Sequence, residues 1–355
     1  MRNEVLEQIP SHPEQRLGAG NSLLRPLAGA QVYPIGLGCM NLSHAYGQPP
    51  APVAAAGVLL RAFELGVRHF DTAALYGFGA NEELIGRTLA PYRRQLILAS
   101  KCGMHGVAGP TGMRRVIDGR PQTLRQTCEA ALERLQTDVI DLYYLHRWDK
   151  QVPIEESVGA LAELKRQGKI RAIGLSEVSA ATLRRAHAVH PIAAVQTEFS
   201  LCTRNAEIAV LEACRELGTA VVAFSPLARG FLTGRMPDVA SLDAKDIRRF
   251  MPRYSPEAHA VNSRLLDEYQ GIATEVGCTP AQLALAWLLN RGPHVHAIPG
   301  TTDVQHLQEN ISGGQVRLTP ALATRLDALI NRRTISGARY NAATQAEIDT
   351  EEFAD

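Results

Sequence analysis

The sequence lacks the features that define several large classes of protein. No apolar run approaches the roughly 18 residues of a membrane-spanning helix, so we expect no membrane segment. Lys and Arg number 37 against 36 Asp and Glu, and no block of like charge interrupts this balance, which argues against nucleic acid as a partner. The six cysteines are scattered, without a C-x-x-C pair or metal-ligand spacing, so we expect reduced thiols and no metal site.

The N-terminal residues are polar and contain no apolar signal core, which argues against export and favours a cytoplasmic location. Residues 1–21 are rich in proline, glycine and charge and show no periodicity, so we expect a flexible tail. The 355-residue chain is 45% hydrophobic and 21% charged, as is typical of a globular protein. A net charge of +1 is compatible with a monomer or a small homo-oligomer.

Short apolar runs alternate with segments of helical periodicity along most of the chain. A predicted hairpin around Ala28-Gly29-Ala30 comes first. Eight predicted strands follow: 32–37, 68–71, 95–100, 139–145, 170–175, 193–197, 220–224 and 294–298. A predicted helix over 154–167 has one apolar stripe, acidic residues in its first turn and basic residues in its last.

This alternation predicts an α/β fold, a (β/α)8 TIM barrel with an N-terminal β-hairpin and C-terminal helices. The alternative is an open doubly wound sheet, which would show a glycine fingerprint at its first strand–helix turn. Gly36-Leu37-Gly38 lacks the third glycine of that fingerprint. We expect the barrel to occupy 22–330 and a C-terminal tail to follow over 331–355.

Polar side chains stand at the carboxyl ends of the predicted strands, which converge on the catalytic face of a barrel. Asp71, Lys101 and His146 end neighbouring strands, and Tyr76 lies five residues past Asp71. An ammonium group lowers the pKa of a nearby tyrosine, and an aspartate balances the lysine charge. A histidine can then donate a hydrogen bond to a carbonyl oxygen. The pattern indicates an enzyme that protonates a carbonyl group.

Other interpretations of single residues stay open. Lys101 at a strand end is also typical of a barrel aldolase that forms a Schiff base with its substrate. His294 and His296 alternate on one strand face and could ligate a metal, although no third ligand is apparent. A basic cluster is either a solvated face or part of a binding site. It comprises Lys245, Arg248, Arg249 and Arg253.

Seven motifs, in order and with family spacing, resemble those of the aldo-keto reductases. They are FDTAALYG (70–77), LASKCG (98–103), DLYYLHRWD (141–149), GLSEVS (174–179), VQTEFSL (195–201), AFSPLARGFLTG (223–234) and IPGTTDVQHLQEN (298–310). The similarity runs from about residue 21 to 330. The segments VIDGRP (116–121) and DIRRFMPRY (246–254) are similar to the bacterial and plant branch of general aldo/keto reductases.

The resemblance implies NAD(P)H-dependent reduction of aldehydes and ketones by direct hydride transfer, with Tyr76 as general acid beside Asp71, Lys101 and His146. The residues that it assigns to the cofactor are Ser176, Gln196, Phe224, Ser225, Leu227, Gly230, Gly300, Thr301, Thr302, Glu309 and Asn310. Arg147 and Trp148 are expected in the pocket for a small-molecule carbonyl substrate. Glu177 departs from the family pattern, since many relatives have Asn there.

The family favours NADPH, but Asp303 stands where relatives that prefer this cofactor usually carry Lys or Arg. A carboxylate there would repel the 2′-phosphate, so NAD stays an alternative. Asp303 could instead cap the following helix, whose N-terminus could then receive the phosphate. The alternative function is that of a regulatory barrel of the same family, which binds cofactor but turns over little substrate.

Overall fold

The computed structural model describes residues 23–110, 112–236 and 238–354. The tail predicted over 1–21 therefore lies outside the described residues. The described strands are β1 (Arg25–Leu27), β2 (Ala30–Val32), β3 (Leu37–Gly38), β4 (His69–Asp71), β5 (Ile97–Cys102), β6 (Met104–Gly109), β7 (Gly112–Ile117), β8 (Ile140–Leu145), β9 (Ile170–Ser176), β10 (Ala194–Glu198), β11 (Ala220–Phe224) and β12 (Val295–Ala297).

The described α-helices cover the strands in the predicted alternating order. They are α1 (Pro52–Glu64), α2 (Ala80–Leu89), α3 (Pro121–Leu135), α4 (Ile154–Arg166), α5 (Ala180–Val189), α6 (Val210–Leu217), α7 (Pro256–Asn262), α8 (Leu266–Val276), α9 (Pro280–Leu289), α10 (Val304–Ser312), α11 (Pro320–Leu329) and α12 (Ala342–Ala346). The helix predicted over 154–167 is confirmed as α4.

Eight parallel strands close into the predicted barrel. The sheet runs β3-β4-β5-β8-β9-β10-β11-β12. Its two edges meet where Ile35 bridges Ala297, and the Ala297 N–H donates to the Pro34 carbonyl at 2.8 Å. The antiparallel β1–β2 hairpin places Leu27 and Val32 against inward-facing side chains near the starts of the barrel strands. The hairpin therefore covers the amino-terminal end and leaves the carboxyl end for the site.

The strand predicted over 32–37 is divided in the structure. β2 ends at Val32 and β3 begins at Leu37, because Pro34 lacks the N–H that a continuous strand would donate. Between them, the Tyr33 hydroxyl donates to the Ile311 carbonyl at 2.8 Å. The prediction of one strand here was wrong, although the predicted hairpin before it is confirmed.

A second antiparallel hairpin, β6–β7, was not predicted. It lies between β5 and α3, where no strand was predicted, and Gly109 pairs with Gly112 at its end. Gly109, Pro110 and Gly112 in close succession are the turn signal that could have revealed it. This hairpin rises beside the mouth of the barrel and brings Arg115 to the cavity described below.

The segment predicted as a C-terminal tail packs back onto the barrel. Tyr340 and Ile348 are buried. The Asp349 carboxylate accepts hydrogen bonds from the Ser179 N–H at 3.0 Å and hydroxyl at 2.9 Å, at the start of α5. Lys150 donates to the Ile348 carbonyl at 2.8 Å. Residues 331–354 thus belong to the folded unit rather than extending from it.

Across the described part of the chain, no single helix is both long and apolar enough to cross a membrane. The residues Pro256–Val276 and Pro280–Leu289 meet those two criteria only as a pair, and the pair is bent by 79°.

Candidate active site

The four predicted catalytic residues meet at the carboxyl end of the barrel. Buried Lys101 forms an ion pair with Asp71 and donates to the Thr72 carbonyl at 2.7 Å. Its Nζ lies 5.1 Å from the centre of the Tyr76 ring. The His146 ring meets Tyr76 edge-on, with ring centres 5.9 Å apart. One tyrosine is therefore flanked by an ammonium and an imidazole.

Burial raises the pKa of Tyr76, whereas Lys101 acts in the opposite direction. The expectation of a lowered pKa is therefore wrong for this structure, because a phenolate would lose its hydration at this buried position. Burial alone would lower the pKa of Lys101, but Asp71 and Tyr76 outweigh burial and raise it. Lys101 consequently remains an ammonium, and Tyr76 remains a protonated phenol at neutral pH.

Burial and the neighbouring Arg147 and Lys101 lower the pKa of His146 well below its usual value. His146 is therefore neutral at neutral pH. Its Nδ1 has no hydrogen-bond partner among the described residues. A neutral imidazole still carries one N–H, so His146 can donate a hydrogen bond without adding a full positive charge.

A cavity of about 1000 Å³ opens beside this cluster. Tyr76, Asp71, His146 and Arg147 line it, while fully buried Lys101 supports them from beneath. All residues that the resemblance assigned to the cofactor also line it: Ser176, Gln196, Phe224, Ser225, Leu227, Gly230, Gly300, Thr301, Thr302, Glu309 and Asn310. The sequence motifs thus converge on one cavity.

The Gln196 side chain forms a hydrogen bond that the sequence did not suggest. Its side-chain amide donates to Asp71 Oδ2 at 2.7 Å, on the carboxylate whose other oxygen holds Lys101. Gln196 therefore fixes the orientation of Asp71, in addition to lining the cavity.

The loop after β11 fits an anionic part of a dinucleotide. Ser225, Ala228, Arg229 and Gly230 have φ of 48°, 47°, 57° and 101°. Left-handed residues among right-handed ones can turn successive N–H groups into a concavity that binds anions. Elsewhere on the cavity wall, a Cβ at Gly300 would lie 2.7 Å from the Asn41 side-chain oxygen and 3.0 Å from the Gly38 carbonyl, so a larger residue would displace Asn41.

Asp303 caps α10 rather than standing free beside the cavity. Its carboxylate accepts hydrogen bonds from the Gln305 N–H at 2.7 Å and the His306 N–H at 2.9 Å. The cap satisfies two amides at the start of the helix. Thr302 and His306 line the cavity at this end. Sequence reasoning missed His306, although its place one turn before Glu309 and Asn310 could have indicated it.

A buried network of charges joins the loop after β11 to the C-terminal segment. Arg339 forms an ion pair with Glu177, and its Nε lies 3.3 Å from Glu198. Glu198 also pairs with Arg229 at 2.9 Å, and the Tyr340 hydroxyl accepts a hydrogen bond from Arg229 at 3.4 Å. The partner that Glu177 requires is therefore Arg339, which sequence reasoning placed in a tail.

Several other sequence expectations have a definite outcome. Trp148 does not appear among the described residues that line the cavity, because its indole N–H turns away and donates to the Val152 carbonyl at 2.8 Å. Arg248 from the basic cluster does line the cavity, with Asp246 as its ion-pair partner at 2.7 Å. Elsewhere in the cluster, Arg253 donates to the Thr203 hydroxyl at 2.9 Å.

The metal alternative gains no support. Within residues 23–110, 112–236 and 238–354, no group of three or more His, Cys, Asp or Glu is placed to hold a metal ion. His296 instead contacts the Pro26 carbonyl at 3.1 Å, which ties β12 to the N-terminal hairpin.

Comparison with known proteins decides the family. The family model described as Aldo/keto reductase family matches residues 34–331. The chain belongs to the aldo/keto reductase family. It is 42% identical over 318 residues to a Glycine max protein named probable aldo-keto reductase 1, covering 88% of this chain and 89% of that protein. The family members are oxidoreductases that use nicotinamide cofactors on small carbonyl compounds.

Solved structures of other aldo-keto reductases have the same fold. The glycerol dehydrogenase of Gluconobacter oxydans is 27% identical, with a TM-score of 0.80 over 90% of this chain and 98% of that chain. An aldo/keto reductase from Klebsiella pneumoniae, in complex with NADP and acetate, is 26% identical, with a TM-score of 0.67 over 93% and 99% of the two chains. The barrel prediction is confirmed.

Proposed function

We propose that this aldo/keto reductase reduces aldehydes and ketones with NADPH as its preferred cofactor, and that Tyr76 is the general acid. The placement of a charged Lys101 and a neutral His146 on two sides of Tyr76 carries the proposal. The adjoining cavity, at about 1000 Å³, lies at the upper end of ordinary ligand pockets, which span roughly 300–1,000 Å³.

When bound, the reduced nicotinamide supplies a hydride to the carbonyl carbon. Tyr76 gives its hydroxyl proton to the carbonyl oxygen, and His146 orients that oxygen with a hydrogen bond. The resulting phenolate is costly in a buried site, and the Lys101 ammonium stabilises it. Asp71 holds Lys101 in place, so the pair supports Tyr76 as the acid.

In this proposal, different residues along the cavity contact different parts of the cofactor. Ser176 and Gln196 hold the carboxamide, while Phe224 packs against the nicotinamide ring. The loop containing Ser225, Leu227 and Gly230 receives the pyrophosphate. Gly300, Thr301 and Thr302 border the ribose-phosphate, and Glu309 and Asn310 border the adenine.

We favour NADPH over NADH as the cofactor because the Asp303 carboxylate binds two helix amides and does not line the cavity. The helix N-terminus and the polar side chains of Thr302 and His306 lie at the same end of the cavity. Because Asp303 already occupies the Gln305 and His306 amides, a 2′-phosphate would depend on the side chains of Thr302 and His306. The structural relative from Klebsiella pneumoniae, solved with NADP, supports this order.

The structure gives no support to the Schiff-base alternative. A Schiff-base lysine must be a neutral amine that reaches the substrate. Lys101 is fully buried, paired with Asp71, and not among the described residues that line the cavity.

The test follows NADPH and NADH oxidation with a panel of aldehydes and ketones, alongside fluorescence titration of cofactor binding. Carbonyl-dependent oxidation supports the proposal. Tight cofactor binding without turnover of any carbonyl would favour the regulatory barrel instead. Borohydride trapping of a substrate on Lys101 would favour the aldolase.

A further inference from the structure

Five arginines line the cavity; Arg147, next to His146, and the exposed Arg235 are the two without an ion-pair partner among the described residues. Arg115 pairs with Glu347, Arg229 with Glu198, and Arg248 with Asp246. No carboxylate lies within ion-pair distance of Arg147 in the part of the chain that the structure describes. A guanidinium is always charged in proteins, so the Arg147 charge is uncompensated beside the catalytic His146.

The hydrogen bonds of Arg147 leave much of its guanidinium unused. Its Nη1 donates to the His146 carbonyl at 2.7 Å and to the Ser176 hydroxyl at 3.3 Å. The buried Nε has no partner among the described residues. A guanidinium has five N–H donors in a planar fork whose geometry matches a carboxylate. The two existing contacts orient this fork at the wall of the cavity.

Of the cationic side chains near His146, Arg147 is the one without an ion-pair partner among the described residues. Burial, and after it the charges of Arg147, Lys101 and Arg115, lower the pKa of His146, so three cationic side chains lie near this imidazole. Asp71 lines the same end, where it and Lys101 neutralise each other and leave the Arg147 charge in excess. A bound anion would offset this positive potential.

Arg115, which belongs to the β6–β7 hairpin, is a second arginine at this part of the cavity wall. Successive residues of a strand face opposite sides, and here Arg115 lines the main cavity while Arg114 lines a separate cavity on the other side. Because Glu347 partly balances Arg115, its contribution should be smaller than that of Arg147.

We propose that the substrate is an oxo acid, a compound with both a carbonyl group and a carboxylate, and that Arg147 binds the carboxylate with Arg115 in support. The inference rests on the proposed function. The carbonyl carbon gains the hydride of the reduced cofactor and the carbonyl oxygen gains the Tyr76 proton. The oxo acid thus becomes a hydroxy acid by a two-electron reduction, and the cofactor is oxidised by two electrons.

The test compares acids with their uncharged methyl esters, using 4-oxobutanoate and 4-formylbenzoate. For the wild type, kcat/KM should favour each acid over its ester by at least about tenfold, as expected for a charge-assisted contact. Arg147→Gln should reduce this acid-to-ester ratio by about tenfold or more. Arg147→Lys should retain part of it, and Arg115→Gln should reduce it less. The neighbouring Arg114→Gln is the matched control and should leave the ratio unchanged.

Calorimetric binding of the same acid and ester pairs to the NADP⁺-loaded protein supplies a second readout that does not require turnover. Tighter binding of the acids, lost in Arg147→Gln, supports the inference even when no substrate is turned over; that absence of turnover would count against the proposed function alone. Equal binding of acid and ester would overturn the inference. An equal loss of acid and ester in Arg147→Gln would also overturn it, since Arg147 would then only support His146 and Ser176.

Discussion

Arg339 forms an ion pair with Glu177 in the interior, although 162 residues separate them in the chain. The pair joins the C-terminal segment to the end of β9. Through Glu198 it also reaches Arg229 on the loop proposed to hold the pyrophosphate. Two parts of the cavity wall are therefore connected by buried charges.

Arg339→Met should destabilise the protein by about 3–5 kcal/mol, because it leaves the buried Glu177 carboxylate without its ion-pair partner. It should also raise the KM for cofactor, since Glu198, the ion-pair partner of Arg229, would lose its contact with Arg339. Urea unfolding and cofactor kinetics measure the two effects. Arg339→Met combined with Glu177→Gln should recover part of the stability. Exposed Arg333→Met is the control, and an equally small effect in both arginine variants would contradict this account.

Glu198 should make stability depend on acid. Burial alone would raise its pKa, but Arg229 and Arg339 lower it to about 2, below the ordinary value of 4.5. The folded state therefore binds this proton more weakly than the unfolded state. The stabilisation, about 3 kcal/mol, is present above pH 4.5 and is lost as the pH falls toward 2.

Urea unfolding from neutral pH to about pH 3 measures this acid dependence. The stability difference between wild type and Glu198→Gln should shrink as the pH falls. Exposed Glu83→Gln serves as the control. A difference that stays constant with pH would show that Glu198 does not titrate as described.

The carboxylate of Asp303 should weaken NADPH binding, even though it caps α10. Asp303→Asn keeps a capping side chain and removes the charge, so KM for NADPH should fall modestly while KM for NADH stays the same. Asp303→Arg should lower KM for NADPH at least several-fold, because one charged contact contributes about 1.5–3 kcal/mol. Steady-state kinetics with both cofactors check this. An unchanged KM for NADPH in Asp303→Arg would show that position 303 does not face the phosphate.

The sequence was sufficient to predict the barrel and the meeting of Asp71, Lys101, Tyr76 and His146. Parallel barrel strands converge at their carboxyl ends, so residues that follow neighbouring strands must come close. The Asp303 cap was also foreseen as one of two outcomes, because capping depends on local sequence.

Other parts of the site depend on contacts that local patterns do not encode. The partner of Glu177 lies in a segment without strong periodicity, and only packing brings Arg339 to it. Tyr340, Asn341 and Thr344 reach the cavity wall for the same reason. The net pKa of Tyr76 depends on its degree of burial, which a list of charged neighbours does not provide.

The central claim, that Tyr76 donates the proton to a carbonyl oxygen, is tested most directly by Tyr76→Phe. This variant removes one hydroxyl and keeps the ring. The measurement is kcat for carbonyl reduction together with the cofactor Kd, with the remote Tyr92→Phe as a matched control. The account predicts that Tyr76→Phe lowers kcat by about 10²–10⁴-fold with nearly unchanged cofactor affinity, while Tyr92→Phe retains wild-type activity. Retention of more than about a tenth of the activity in Tyr76→Phe would contradict it.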